Sequence, residues 1–165
     1  MGDMAENRQY LTFSLADEDY AIEVFKVREV LELIKITRVP RMPPFMLGVI
    51  NLRGSVVPVI DLRLKLGMEA AKATQDSSII ILEILVGEEI ILLGIYVDSV
   101  HEVVDFDGDD LEPAPKIGSR IQSDFIHGVG KRNEEFVMIL DIDRVFSEIE
   151  ATSLPVAGAE GPGGE

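Results

Sequence analysis

The sequence predicts a mainly β protein built from two similar small units. Three observations carry that prediction: an internal echo at a fixed offset, apolar runs of strand length separated by tight polar turns, and few stretches with helical spacing. The echo is the strongest of the three. The run from Gly48 to Arg63 (Gly-Val-Ile-Asn-Leu-Arg-Gly-Ser-Val-Val-Pro-Val-Ile-Asp-Leu-Arg) returns in weaker form between Gly128 and Arg144. Gly48 and Gly128 are as far apart as Asp61 and Asp141, 128 − 48 = 141 − 61 = 80 residues. Two copies suit a paired domain better than a solenoid, which needs three or more repeats to bury its faces.

Taken in order, Tyr10 to Leu15 alternates and ends at the polar turn Asp17-Glu18-Asp19, and Tyr20 to Val24 follows as a second strand. Val27, Val30, Leu31 and Ile34 have helical spacing, yet Ile36 and Val39 extend them as a bent strand would, so both assignments stay open. Pro40, Pro43 and Pro44 mark a loop, because proline lacks an amide hydrogen and pushes the preceding residue away from helix. Gly48 to Ile60 then reads as a hairpin with Arg53-Gly54 at or near its turn, where glycine takes positive φ at little cost. Pro58 in the second arm calls for an edge position or a bulge. Asp61 to Gly67 is a short helix closed by its glycine.

Glu69 to Ser78 is a polar connector and the internal boundary. Beyond it, Ile79 to Leu85, the turn Gly87-Glu88-Glu89 and Ile90 to Val97 are apolar at nearly every position. Such strands are buried on both faces, or belong to a small barrel that also packs against a neighbour. The second unit repeats the plan: Val100 to Val103 echoes Val27 to Val30, Leu111 to Pro115 echoes Val39 to Pro43, and Phe125 to Val129 echoes Phe45 to Val49. Ile142 to Glu150 suits a closing helix. The expected organisation is a flexible tail over 1–9, a first subdomain over 10–75, a second over 76–150, and a disordered Ala-, Gly- and Pro-rich tail over 151–165.

Composition narrows the function. The absence of cysteine removes disulfides, thiolate metal sites and a cysteine nucleophile. The N-terminus has no apolar leader and no run reaches the roughly 18 residues of a membrane span, so the expectation is a soluble cytosolic chain. The net charge of −15 lies entirely in residues 76–165, with twenty acids against five bases, while residues 1–75 balance ten against ten. Nucleic-acid binding needs a dominant basic face, which this sign opposes. Between Leu33 and Ile60 there is no acid, only Lys35, Arg38, Arg41 and Arg53; between Ala73 and Pro115 there is no base. That asymmetry serves solubility or orients docking to charged partners.

The residues assemble no active site. His101 and His127, the two histidines, occupy slots held by Arg28 and Leu47 in the other copy, which favours structural or surface roles over catalysis or metal binding. Asp105, Asp107 and Asp109 open like a calcium loop, but Asp110 stands where glycine is needed and Lys116 where a bidentate glutamate belongs. Gly128 to Lys131 lacks the spacing of a phosphate loop. No catalytic residue, cofactor or metal is therefore expected. Arg53, beside the turn of an apolar hairpin, is either a structural cap or an interface anchor, and Glu29, among Val24, Val27 and Val30, is either a surface charge or the polar half of a binding rim.

The chain resembles the CheW family of chemotaxis coupling proteins from about Tyr10 to Glu150. The resemblance rests on Tyr10 to Leu15 with Glu18-Asp19-Tyr20, Val24 to Val30, Thr37-Arg38-Val39-Pro40, the Gly48 to Gly54 motif leading into Val57 to Arg63, Gly94 to Val100, and Leu140 to Phe146. It implies two SH3-like five-stranded β-barrel subdomains sharing a core, with a few short helices. It implies a non-enzymatic adaptor that couples the cytoplasmic tips of chemoreceptors to the regulatory domain of the histidine kinase CheA. Such an adaptor works in the cytoplasm at the membrane-associated receptor array, without membrane insertion, and can assemble into rings with the kinase or with itself. By matching position, the implied receptor-side residues are Val24, Val27, Glu29, Gly48, Arg53, Val100 and Val103; the kinase-side surface is not assignable. The alternative is an adaptor of the same fold in a kinase pathway other than swimming, such as surface motility or gene regulation.

Overall fold

The computed structural model describes residues 8–70, 72–113 and 125–146, which form two sheets and a few short helical turns. One sheet contains β1 (Arg8–Leu15), β2 (Glu18–Glu23), β8 (Ser99–Phe106), β9 (Leu111–Glu112), β10 (Ile126–Arg132) and β11 (Glu135–Leu140), in the order β8-β1-β2-β11-β10-β9. The other contains β3 (Val27–Glu32), β4 (Met46–Leu52), β5 (Ser55–Asp61), β6 (Ser78–Val86) and β7 (Glu89–Val97), in the order β3-β6-β7-β5-β4. The mainly β expectation with few helices holds. We call the six-stranded assembly sheet A and the five-stranded one sheet B.

The 80-residue echo is a shared register. In sheet B, Met46 pairs Ile60, Gly48 pairs Val59 and Leu52 pairs Ser55; in sheet A, Ile126 pairs Leu140, Gly128 pairs Ile139 and Arg132 pairs Glu135. Every position is advanced by 80, the bulge before the glycine included. Each hairpin then joins another in parallel, β5 on β7 and β11 on β2. An edge strand completes each set, β3 beside β6 and β8 beside β1. Sheet A counts a sixth strand because Leu111 and Glu112 both pair with β10, whereas the equivalent place on β4 holds a single bridge, Thr37 to Val49.

The expected boundary at 75/76 falls between α1 and β6, and each sheet takes strands from both sides of it. After β2 the chain crosses from sheet A to sheet B through one 3₁₀ turn, Val24–Lys26; after β7 it crosses back at Asp98. The two units thereby exchange their remaining strands, which ties the sheets together covalently at two points. Their facing sides share one core, in which Leu11, Phe13 and Ile22 of sheet A meet Ile80, Leu82 and Ile95 of sheet B. The alternate residues fill each sheet's own interior: Tyr10, Ala21, Phe106 and Ile139 in one, Ile50, Val57, Ile79 and Ile81 in the other. Strands β6 and β7 are thus covered on both faces, which is why their sequences are so nearly continuously apolar.

The open assignment resolves as strand over Val27–Glu32, with Leu33 and Ile34 beyond its end. Residues 27, 29 and 31 are half-buried and 28, 30 and 32 exposed, the period of two that an edge strand with one covered face requires. Helical spacing was the weaker pattern because Val27 and Val30 point to opposite sides. Pro58 is neither on an edge strand nor in a bulge. Val49, its partner across the hairpin, exchanges its amide and carbonyl with Thr37 (both 2.8 Å), so Val49 and Pro58 form a pair without mutual hydrogen bonds. The ladder to β7 begins only at Val59, so the missing amide hydrogen leaves no acceptor unpaired.

Both hairpins lead into a capped turn of helix. Asp61 Oδ1 accepts from the Arg63 amide at 3.0 Å at the start of α1 (Leu62–Lys65), and Asp141 Oδ1 accepts from the Arg144 amide at 3.2 Å before a helical turn at 142–146. Strand β1 begins at Arg8, two residues ahead of the expected start. The expected N-terminal tail before Arg8, the continuation of the last helix over 147–150 and the C-terminal tail over 151–165 lie outside the described residues.

Candidate partner-binding site

The β4–β5 turn is two residues long, and both have positive φ, Arg53 at 50° and Gly54 at 92°, the signature of a type I′ turn. Glycine adopts this freely; arginine does so against the steric cost of its Cβ, about 1 kcal/mol. Asn51 supports the turn, its Oδ1 accepting from the Gly54 amide at 2.7 Å. Asn51 and Gly54 thus build the turn, and Arg53 is left to project from it, its side chain 69% exposed. It projects toward Glu29, with Nη2 donating to the Glu29 carboxylate.

That contact locates the pair in the fold. Strands β3 and β4 are opposite edges of sheet B, so an ion pair between β3 and the β4–β5 turn requires the sheet to curl until its edges approach. Sheet A has the counterpart: Arg132, at the end of β10, donates to Glu102 of edge strand β8 at 2.5 Å. Glu102 follows Glu29 by 73 residues, the spacing between the edge strands of the two repeats. The second clasp was not among the expected functional residues; the Glu29–Glu102 echo was the sequence signal for it.

Gly48 has a structural reason for its identity. At φ 148°, a Cβ added there would lie 2.1 Å from the Thr37 carbonyl oxygen, so only glycine permits the Thr37–Val49 bridge. Val27 of β3 and Val100 of β8 are both half-buried against the core shared by the two sheets. Val103 is 47% exposed on β8, and Val24 opens the 3₁₀ crossing. The seven expected residues are therefore divided: Val24, Val27, Glu29, Gly48 and Arg53 belong to sheet B or its entry, Val100 and Val103 to the equivalent edge of sheet A. Glu29 and Arg53 are in contact, and Val27 and Val100 each pack against the common core. Phe25, between Val24 and Lys26, is 70% exposed and extends the apolar rim. Its position one residue out of the strand alternation was the only hint of that.

The second crossing is held by charge. Arg63 of α1 binds both Asp98 oxygens, with Nε at 3.0 and 3.2 Å and Nη2 at 2.9 Å, and donates through Nη1 to the Glu69 carbonyl at 2.8 Å. Asp98 also accepts from the Ala16 amide at 2.8 Å. Burial raises the Asp98 pKa, but the Arg63 and Ala16 hydrogen bonds outweigh it, and the carboxyl lies below its ordinary value. Asp61, 3% exposed, is pushed up by burial against the lowering pull of the Arg63 and Leu64 amides.

A polar cavity of about 730 Å³ opens on sheet A beside Ser14, Asp19, His101 and Arg132. Ser14 Oγ lies 2.6 Å from His101 Nε2, and Asp19 Oδ1 approaches that same nitrogen at 4.0 Å. A hydrolytic triad orients its histidine through the other nitrogen, so the trio lacks that geometry and ties β8 to β1 and β2 instead.

Fold and site together define a paired-sheet β module: two curled β sheets, an Arg–Glu clasp on each, and apolar side chains at the edge strands. Residues 9–150 match the CheW-like domain family. The chain belongs to the CheW-like family. It is 32% identical over 143 residues to the chemotaxis protein CheW of Klebsiella aerogenes, covering 87% of this chain and 84% of that one. It is 34% identical over 146 residues to the chemotaxis protein CheW of Helicobacter pylori, covering 88% and 86%. The crystal structure of the scaffolding protein TtCheW from Thermoanaerobacter tengcongensis superposes with a TM-score of 0.76 at 37% identity, covering 84% of this chain and 92% of that one. No helix among the described residues is long and apolar enough to cross a membrane.

Proposed function

We propose that this chain is a non-enzymatic chemotaxis adaptor that couples chemoreceptor cytoplasmic tips to the regulatory domain of the histidine kinase CheA, in the cytoplasm at the membrane-associated array. The observation that carries the site is Arg53, an exposed arginine kept in a left-handed turn position and aimed at Glu29 beside apolar Val24, Val27 and Phe25. An amphipathic helical hairpin, the shape a receptor tip offers, gains affinity from such apolar anchors and register from such charges. Arg53 exchanges part of its bond to Glu29 for a carboxylate of the partner, which its planar fork suits. Val100 and Val103 extend the surface to the edge of sheet A.

Arg53→Ala weakens binding of a soluble receptor fragment by about 1–3 kcal/mol, the range of an interface hot spot, with little change in melting temperature. Isothermal titration of the purified variant measures the first and a thermal scan the second. Parent-like affinity for the fragment sinks the assignment of Arg53. Affinity should also fall as salt rises, because part of the attraction is between exposed charges.

A further inference from the structure

We propose that the proline-rich loop between β3 and β4 is a second docking site, independent of the Glu29–Arg53 rim, that takes an acidic, extended peptide segment of a partner protein. The loop walls a groove of about 410 Å³ in which Pro40, Met42, Pro43 and Leu47 supply an apolar floor and Arg38 and Arg41 the charge.

Three observations select the occupant. The first is the state of the cations. Lys26, Arg28, Lys131 and Arg132 each reach a carboxylate, at 2.6, 2.6, 2.6 and 2.5 Å. Lys35, Arg38 and Arg41 are exposed, and none pairs with a carboxylate among the described residues. In a chain with 30 acids and 15 bases, carboxylates are abundant, yet these three neighbouring cations reach none among the described residues, whereas Arg53 of the same acid-free stretch reaches Glu29.

The second observation is Arg41 itself. Its φ is 65°, and with Pro40 before it the pair fits the centre of a type II turn, where the second central position belongs to glycine or asparagine. Arginine is held there against steric cost, and such outliers collect at ligand clamps. The third is the composition of the wall. Prolines already have a fixed φ, so closing on an extended peptide costs little ordering entropy. Leu33 and Ile34, 38% and 41% exposed beside Lys35, offer apolar contacts next to the charge. The groove lining has no aromatic ring on which a base could stack, which favours a peptide over a single-stranded nucleic acid.

The test sets this groove against the charge of the whole chain. A net charge of −15 favours basic ligands; the groove demands acidic ones. Fluorescence anisotropy is measured with a labelled glutamate-rich peptide containing leucine and proline, and with its lysine-for-glutamate counterpart. The parent prefers the acidic peptide, and Arg38→Ala with Arg41→Ala weakens that binding about tenfold, a typical effect of removing paired interface charges. Arg41→Gly separates ligand contact from folding: it relieves the backbone, leaves the melting temperature unchanged or higher, and still weakens the acidic peptide. Lys72→Ala, an exposed cation outside the groove, and Arg53→Ala leave the affinity unchanged. Preference of the parent for the lysine peptide, parent-like affinity in Arg41→Gly, or tighter binding of oligothymidine than of the acidic peptide each overturns the proposal. None of these outcomes depends on whether Arg53 binds a receptor.

Discussion

The hairpin β4–β5 and the hairpin β10–β11 are the same frame built twice, and they differ where they meet solvent. Both have the bulge before glycine, a two-residue turn and an aspartate that caps the following helix. At the turn the first has Arg53-Gly54 and the second Asn133-Glu134, the latter at φ 53° and 68°. The shared residues answer to backbone geometry and to the cores beneath. Among the residues that differ, Asn51 and Gly54 build the first turn and Arg53 does not, which is why the proposed partner role falls on Arg53.

The largest expected effect separates the two glycines. Gly48→Ala should cost about 3 kcal/mol, because the new methyl collides with the Thr37 carbonyl and the backbone cannot keep φ 148°. Gly128→Ala should cost less, about 2 kcal/mol, since its methyl meets the Glu112 backbone oxygen at 2.9 Å rather than 2.1 Å and no left-handed φ has to be held. Chemical denaturation of both variants gives the ranking. Equal losses would mean that the Thr37 bridge is no more rigid than its counterpart.

Next comes the clamp at the second crossing, where Arg63 binds both Asp98 oxygens while the first crossing has the single pair Lys26 to Asp143 at 2.6 Å. Arg63→Ala should cost about 2 kcal/mol, the range for hydrogen bonds between charged groups, discounted for partial exposure. The pH dependence follows from Asp98. Its folded-state pKa lies below 3.8, so its contribution is fully present above the unfolded value and is lost as pH falls through the lowered one. Asp61, raised from 3.8, acts in the opposite sense, since its ionisation disfavours the folded state. Asp98→Asn should therefore flatten the acid limb of the melting curve below about pH 4, and a limb as steep as the parent's would assign acid lability elsewhere.

The two clasps make a finer contrast. Arg53→Ala and Arg132→Ala should each change stability by less than about 1 kcal/mol, as exposed ion pairs do, yet only the first should weaken the receptor fragment. Equal binding losses from both would make the clasps a shared device for barrel closure. Smallest of all, Glu134→Gly should stabilise by up to about 1 kcal/mol by removing a left-handed side chain, a difference that denaturant midpoints resolve.

Much of this was readable from residues because local chemistry is readable. The echo of Gly48 in Gly128, the Arg53-Gly54 turn and the doubly buried strands β6 and β7 all follow from period, spacing and the special conformations of glycine and proline. Residues 27–34 resisted because an edge strand covers one face only, and six residues of it mimic helical spacing. Pro58 resisted because its tolerance depends on Val49 directing its hydrogen bonds to Thr37, a residue 21 positions away from the proline.

By itself, then, the sequence determined the repeat, the register of each hairpin, the turns, and the split of charge between the halves, all of which are set within a few residues of chain. Tertiary structure decided which repeat supplies which sheet. The crossings at Val24–Lys26 and Asp98 send strands into the opposite sheet, and in that arrangement both apolar faces of β6 are buried, one in the shared core and one inside its own sheet. It also decided that Glu29 faces Arg53 and Glu102 faces Arg132, contacts that exist only once each sheet has curled enough to bring its distant edges within reach of a side chain.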